Sequence, residues 1–84
     1  MKLFKSILLA SLLLTQVAMA AVNINTADAD KIASELKGIG LSKATAIVDY
    51  RTKNGPFKTI EQLTEVKGIG LKTVEKNRQE ILLN

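Results

Sequence analysis

The chain has 84 residues and a formal net charge of +4, which allows one domain with a small core. It contains no cysteine and no histidine, which excludes disulfide crosslinks and thiol chemistry and removes the commonest acid–base catalyst of enzymes. Lys2 and Lys5 lie at the very start, and the rest of the chain is only mildly basic. Net charge alone therefore does not indicate nucleic acid, and an enzyme is the least supported class of protein.

The start of the chain predicts a cleavable signal peptide over residues 1–20. Its two lysines are followed by an apolar run at residues 7–14, and Ala18 and Ala20 are the small residues that signal peptidase reads. The run is shorter than the roughly 20 residues that span a bilayer, and the chain has no cysteine for lipid attachment. We therefore expect cleavage after Ala20, a mature domain of residues 21–84 without a membrane anchor, and a periplasmic location.

Apolar residues recur at helical spacing in four stretches of this domain, and no stretch alternates for long enough to predict a strand. The predicted helices cover residues 27–36, residues 42–53, a short stretch capped by Thr59, and residues 71–83. The expected fold class is therefore all-α, with four to five short helices.

Capping residues and chain breakers set the limits of the first two helices. Asn25 or Thr26 is expected to cap the first helix, with Asp28 and Asp30 in its first turn, where the helix dipole favours acids. The Asn-Gly-Pro sequence at residues 54–56 ends the second helix, because proline cannot continue it and glycine is favoured just past a helix end.

Apolar side chains from every segment supply the predicted core. They are Val22 and Ile24 of an extended lead-in, Ile32, Ala33 and Leu36, then Leu41, Ala44, Ile47 and Val48, the connector residue Phe57, Ile60, Leu63 and Val66, and Leu71, Val74, Ile81 and Leu82. Tyr50 is expected to pack beside the connector. Asn77 and Arg78 stand where the second helix has Ile47 and Val48, so the last helix is less apolar at its middle turn.

The sequence Lys-Gly-Ile-Gly-Leu occurs twice, at residues 37–41 and at residues 67–71, each time between two predicted helices. Two glycines around one apolar residue predict a tight turn, because glycine suits a backbone with positive φ or a close approach by a partner. Backbone N–H groups at the start of the next helix lack helical acceptors and can bind an anion. We call residues 37–40 the first hairpin and residues 67–70 the second hairpin.

Lysines and hydroxyls flank both hairpins and predict contacts with phosphate groups. Lysine supplies charge, a hydroxyl can donate to a phosphate oxygen, and glycine lets the phosphate reach the backbone. The side chains of Ile39 and Ile69 are expected to point into the core. No cluster of Arg, Asn or Gln is placed to read bases, so DNA binding should be independent of sequence and should weaken as salt rises. The candidate DNA-binding residues are Lys37, Gly38, Ile39, Gly40, Ser42, Lys43, Lys67, Gly68, Ile69, Gly70, Lys72 and Thr73.

The same hairpins have an architectural interpretation. A Gly-X-Gly turn is a sharp way to reverse a chain between helices, and one such turn would favour architecture and function about equally. Two copies with matching lysines and hydroxyls favour function.

Several segments together resemble the ComEA-type tandem helix-hairpin-helix family. They are residues 22–27, both hairpins, Tyr50 with Arg51, and residues 54–57. The resemblance implies a compact (HhH)2 domain whose two hairpins lie across one DNA minor groove and grip both phosphate backbones. For a short member with a signal peptide, it implies a periplasmic receptor for double-stranded DNA in natural transformation, with the DNA-uptake machinery as a further partner.

The resemblance also assigns parts of the site. It places the phosphate contacts on the backbone of both Gly-Ile-Gly sequences, with the flanking lysines assisting. It leaves open a monovalent cation on hairpin carbonyls and implies no other cofactor. It leads us to expect an apolar residue where Asn77 stands, so Asn77 is expected to weaken the packing of the last helix.

A protein-interaction module is the alternative to a DNA-binding domain. Tandem helix-hairpin-helix domains can dimerise through apolar faces, and a core this small would gain stability from a partner. The flanking lysines favour DNA, because a protein interface would not need them at both hairpins. Catalysis has less support, since Asp28 and Asp30, at i and i+2, do not face each other on a helix.

Overall fold

Three α-helices, two 3₁₀ helices and one pair of short strands make up residues 21–84, which our computed structural model describes. In chain order they are β1 (Val22–Asn23), α1 (Ala29–Glu35), α2 (Leu41–Asn54), a 3₁₀ helix (Ile60–Glu65), α3 (Leu71–Asn77), a second 3₁₀ helix (Arg78–Glu80) and β2 (Ile81–Leu82). The mainly helical fold is confirmed. No helix among these residues is long and apolar enough to cross a bilayer. The expected signal peptide, residues 1–20, lies outside the described residues.

Helix α1 begins later than predicted because the residues before it form a turn. The N–H of Thr26 donates to Asn23 O at 3.2 Å. Asp28 is the N-cap, and its Oδ1 accepts a hydrogen bond from Lys31 N at 2.9 Å. The expectation that Asn25 or Thr26 caps this helix is therefore wrong, and Asp28 is the cap itself instead of a first-turn residue.

Side chains of Asn25 and Arg51 fix the lead-in segment to the rest of the domain. The Oδ1 of Asn25 accepts from Phe57 N at 2.7 Å, and its Nδ2 donates to Phe57 O at 3.1 Å. One amide thus satisfies both backbone groups of a connector residue. The Nη1 of Arg51 donates to Ile24 O at 2.8 Å and to Ala27 O at 2.7 Å, which joins α2 to the lead-in.

Helix α2 closely matches the prediction and ends at the expected chain breakers. Gly55 has a φ of 93° and donates its N–H to Arg51 O at 2.9 Å, while Pro56 prevents a further turn. Near the end of this helix the ring of Tyr50 stacks on Phe57, with centroids 5.1 Å apart. The packing of Tyr50 beside the connector is therefore confirmed.

The end of the chain is a strand where a continuous helix was predicted. Helix α3 ends at Asn77, and beyond it Ile81 and Leu82 pair in parallel with Val22 and Asn23. Val22 is 2% exposed, and a buried backbone needs hydrogen-bond partners, which the chain end supplies. The all-α prediction needs this correction, since the lead-in and the chain end form a small parallel sheet.

The core contains apolar side chains from all three α-helices, the first 3₁₀ helix and both strands. Its buried members are Val22, Ile24, Ile32, Leu36, Ile39, Ala44, Ile47, Phe57, Leu63, Val66, Ile69, Val74 and Ile81. Leu82 was expected to join it, but it is 44% exposed in β2. Leu41 and Leu71 were also expected to join it, but they are 54% and 57% exposed. Each is the first residue of a helix that follows a hairpin, so its side chain lies at the surface of the hairpin.

Polar contacts hold the first 3₁₀ helix. Thr59 Oγ1 accepts from Gln62 N at 3.2 Å, which confirms the predicted cap. Arg78 joins this helix to α3 by donating to the carboxylates of Glu61 and Glu75. These hydrogen bonds lower the pKa of both carboxyl groups, so the cluster keeps its charges down to acidic pH.

Candidate nucleic-acid interface

The two hairpins and the helix starts after them share one pattern of exposure over nine residues, 36–44 and 66–74. The first, fourth and last residues of each stretch are buried, the next-to-last is half-buried, and the others are exposed. Ile39 and Ile69 are the fourth residues, each 4% exposed, which confirms that their side chains anchor the hairpins in the core. The exposed residues between these anchors form two equivalent surfaces.

The two glycine positions of each hairpin differ in their backbone conformation. Gly38 and Gly68 have φ values of 76° and 91°, a conformation that glycine adopts without strain. Gly40 and Gly70 have φ values of −84° and −102°, which any residue can adopt. A Cβ atom added to either would meet no protein atom within 4 Å. Neither the backbone nor the packing requires glycine at this second position.

The helix starts at the hairpins also lack the side-chain cap that α1 and the first 3₁₀ helix have. Asp28 caps α1 and Thr59 caps the first 3₁₀ helix, each by accepting a backbone N–H. The N-caps of α2 and α3 are Gly40 and Gly70, which make no such bond. The N–H groups of residues 41–43, which precede the first hydrogen bond of α2, therefore stay available to a ligand.

Four lysines surround the hairpins. Lys37, Lys67 and Lys72 are exposed, and Lys43 is half-buried. The three ion pairs within residues 21–84 join other side chains, so none of these four lysines is paired with a carboxylate there. Their charges are free to attract an external anion.

The start of α2 lies against the second hairpin, which brings the two hairpins together at one surface. The side chain of Lys43 passes over Gly68, with its Cε 3.5 Å from where a Cβ of that glycine would be. By exposure, the counterpart of Lys43 in the second repeat is Thr73, and the counterpart of Ser42 is Lys72. Lysine and hydroxyl thus exchange places between two otherwise matching surfaces.

Asn77 is the residue of this region whose role the sequence did not reveal. It is 1% exposed, and its Oδ1 accepts from Lys37 N at 2.8 Å. Its Nδ2 donates to Lys37 O at 2.8 Å and to Thr73 O at 2.9 Å. The expectation that Asn77 weakens the packing of the last helix is wrong, because its buried amide is fully hydrogen-bonded. The one available signal was that it aligns with the core residue Ile47.

Comparison with known proteins agrees with this geometry. A family model of the helix-hairpin-helix motif matches residues 17–82. ComE operon protein 1 of Bacillus subtilis is 50% identical over 62 residues, which cover 74% of this chain and 30% of that protein. The chain belongs to the ComEA-type helix-hairpin-helix family.

Two further relatives show how this ComEA-type domain occurs in longer proteins. An uncharacterized protein of Haemophilus influenzae is 56% identical over 71 residues, covering 80% of this chain and 63% of that protein. The endonuclease/exonuclease/phosphatase family domain-containing protein 1 of Rattus norvegicus is 37% identical over 60 residues, 71% of this chain and 10% of that protein. The chain spans less than two thirds of each relative, so the likeness concerns the domain alone.

The different roles of the two hairpin glycines can be tested by stability. The variant Gly38→Ala should be destabilised by about 1–2 kcal/mol, because a residue with a Cβ is strained at positive φ. For a domain of this size each kcal/mol lowers the melting temperature by roughly 4–8 °C. Thermal unfolding followed by circular dichroism measures the change. The matched variant Gly40→Ser should melt no lower than the unmodified protein, and equal losses for both would contradict the assignment.

Proposed function

We propose that this domain binds double-stranded DNA without sequence preference, by placing both hairpins against phosphate groups. The observation that carries the proposal is the glycine at positions 40 and 70. At both positions the backbone is unstrained, a side chain would have room, and a capping residue would stabilise the helix. Glycine at both suggests that a partner must approach the backbone closely there.

The surroundings of the two hairpins support a phosphate as that partner. Uncapped backbone N–H groups, unpaired lysines and hydroxyls are the donors that proteins use against the DNA backbone. The contact of Lys43, three residues after the first hairpin, with Gly68 of the second hairpin supports two contacts on one duplex. Among the described residues, no three His, Cys, Asp or Glu side chains are grouped so that they could hold a metal ion. The activity that we propose is binding of DNA, without catalysis.

Salt dependence is the first test of this proposal. If each hairpin neutralises two phosphates, log affinity for a duplex should fall against log salt with a slope near −3.6, from about −0.9 per phosphate. Binding of the purified protein to two duplexes of unrelated sequence, followed by fluorescence anisotropy between 50 and 200 mM salt, measures it. Equal affinities for both duplexes are expected. No binding at 50 mM salt would refute the proposal.

The hairpin lysines should account for part of that slope. Replacing Lys37 and Lys67 with glutamine should make it shallower by about 1.8, since each lost phosphate contact removes about 0.9. Lys53 and Lys58 are also exposed but lie outside the hairpins, and their double glutamine variant has the same net charge. The slope of this control should stay near that of the unmodified protein. Equal changes in both variants would show a diffuse charge effect instead of two sites.

We further propose that the protein is exported and acts as a periplasmic DNA receptor in natural transformation. The signal-peptide pattern of residues 1–20 supports export, and membership of the ComEA-type family supports a role in competence. N-terminal sequencing of the protein from the periplasm of its host should begin at Ala21. A deletion strain should lose most of its transformation by added DNA, and an unchanged frequency would refute the biological role.

One observation favours a protein-interaction module as a second candidate. Leu41 and Leu71, beside the hairpins, are each more than half exposed. If they mediate dimerisation, sedimentation velocity without DNA should show a dimer that the double variant Leu41→Ser, Leu71→Ser converts to monomer. A monomeric unmodified protein would exclude this candidate.

A further inference from the structure

Asn77 connects the two helix-hairpin-helix repeats through the backbone of a single residue. It belongs to α3 in the second repeat, yet two of its three side-chain hydrogen bonds, each 2.8 Å long, hold the N–H and C=O of Lys37 in the first hairpin. The two residues are 40 positions apart, so this is a tertiary contact. The third bond, to Thr73 O at 2.9 Å, fixes the amide to its own helix. The orientation of the first hairpin therefore depends on α3.

A reciprocal contact holds the second hairpin. Lys43 of α2, in the first repeat, lies over Gly68, so each hairpin is braced by the helix that follows the other. The two braces differ in kind, because the alkyl stem of Lys43 can slide while the amide of Asn77 holds two backbone groups in fixed directions. The distance and angle between the hairpins are thus set most tightly at Asn77.

We propose that Asn77 is a positioning residue that holds the first hairpin where both hairpins can engage one duplex at the same time. The inference rests on the proposed binding of DNA. Two sites on one rigid body bind far more tightly than either alone, because the second contact forms at a high effective concentration. Without the amide, the N–H and C=O of Lys37 must form hydrogen bonds with water instead. The first hairpin then moves away from its position beside the second hairpin.

The variant Asn77→Leu tests this, since leucine has the same branching and the same number of non-hydrogen side-chain atoms but no hydrogen-bonding groups. With both hairpins bound, the dissociation constant should rise about 150-fold between 50 and 200 mM salt, from a slope of −3.6. With only the second hairpin bound, it should rise about 12-fold, from a slope of −1.8. The exchange rate of the Lys37 amide proton should also increase in the variant, which reports the lost bond without DNA.

Asn25 supplies a matched control. It holds the N–H and C=O of Phe57 as Asn77 holds those of Lys37, but it joins the lead-in to the connector and neither hairpin. Asn25→Leu should therefore lower the melting temperature and keep the 150-fold salt effect. If either leucine variant fails to fold, the smaller pair Asn77→Ser and Asn25→Ser carries the comparison, with the same expected salt effects.

The outcomes separate this inference from the function on which it rests. A folded Asn77 variant with the salt effect of the unmodified protein would overturn the positioning role while leaving DNA binding in place. An equal reduction in the Asn77 and Asn25 variants would also overturn it, because both would then act through general stability. Absence of binding by the unmodified protein would overturn the proposed function itself.

Discussion

With Gly40 and Gly70 both replaced by aspartate, the protein is expected to melt at a higher temperature and to lose duplex DNA binding. The gain in stability is expected because another helix of this chain already has an aspartate cap. Asp28 caps α1 at φ −84° and ψ 171°, and Gly40 has φ −84° and ψ −177°. An aspartate at either hairpin can thus cap its helix as Asp28 does. Capping, together with a less flexible unfolded chain, should contribute about 0.5–1 kcal/mol at each site.

The loss of binding is expected because the new carboxylates would occupy the proposed phosphate sites. Each would accept the backbone N–H groups proposed to bind phosphate and would repel the phosphate as well. A hydrogen bond to a charged group contributes about 1.5–3 kcal/mol, so the loss of one at each hairpin should weaken binding roughly 10²- to 10⁴-fold. Fluorescence anisotropy at 50 mM salt and a thermal melt of the same preparation measure both effects.

The double variant Gly40→Asn, Gly70→Asn is the control for charge. Asparagine caps a helix about as well as aspartate but is neutral, so it should match the melting temperature and bind DNA more tightly than the aspartate variant. Unchanged DNA binding in the aspartate variant would refute contact at the hairpins, even if the protein binds DNA elsewhere. A lower melting temperature would refute the assignment of both glycines as unstrained caps.

Removal of residues 81–84 is expected to unfold the domain. The deletion takes away the buried Ile81 and the hydrogen bond of 3.1 Å from Ile24 N to Leu82 O. Loss of a buried isoleucine side chain costs about 2–5 kcal/mol, and an unpaired buried N–H adds about 1–3 kcal/mol. A domain this small has a total stability of about 5 kcal/mol, so far-ultraviolet circular dichroism at 25 °C should show mainly unfolded chain.

Leu82→Ser provides the comparison for this deletion. Leu82 is 44% exposed, and its backbone carbonyl can still accept from Ile24 N after the substitution. The variant should change stability by less than about 0.5 kcal/mol, as is usual for exposed positions. A truncated protein with normal helicity would show that the chain end frays freely, as the last turn of a helix does, and would contradict the strand pairing.

The parts of the fold that the sequence predicted are those controlled by local signals. Gly55 and Pro56 end α2 where expected, and the Thr59 cap starts the 3₁₀ helix. The repeated Lys-Gly-Ile-Gly-Leu sequence located both hairpins and the burial of their isoleucines. Each of these features depends on residues within a few positions of one another, which is the range over which sequence patterns are informative.

The parts that the sequence missed depend on contacts between distant residues. Leu71, Val74 and Ile81 are spaced as on a helix. Ile81 is nevertheless in a strand, because its backbone pairs with that of Val22, which lies near the other end of the sequence. Tertiary contacts of this kind override the local preference for a helix. Asn77 was misjudged for the same reason, because a buried amide is unfavourable until its partner, here the backbone of Lys37, is known.

The pairing of β1 with β2 has a consequence for how the domain can be joined to other proteins. Val22 lies opposite Ile81, and paired strands are only about 5 Å apart. The polypeptide chain therefore enters and leaves the domain at neighbouring points. A unit with adjacent ends can be inserted into a surface loop of a host protein without stretching the host. A related domain can thus be a small part of a larger chain, since the match to the rat relative covers 10% of that protein.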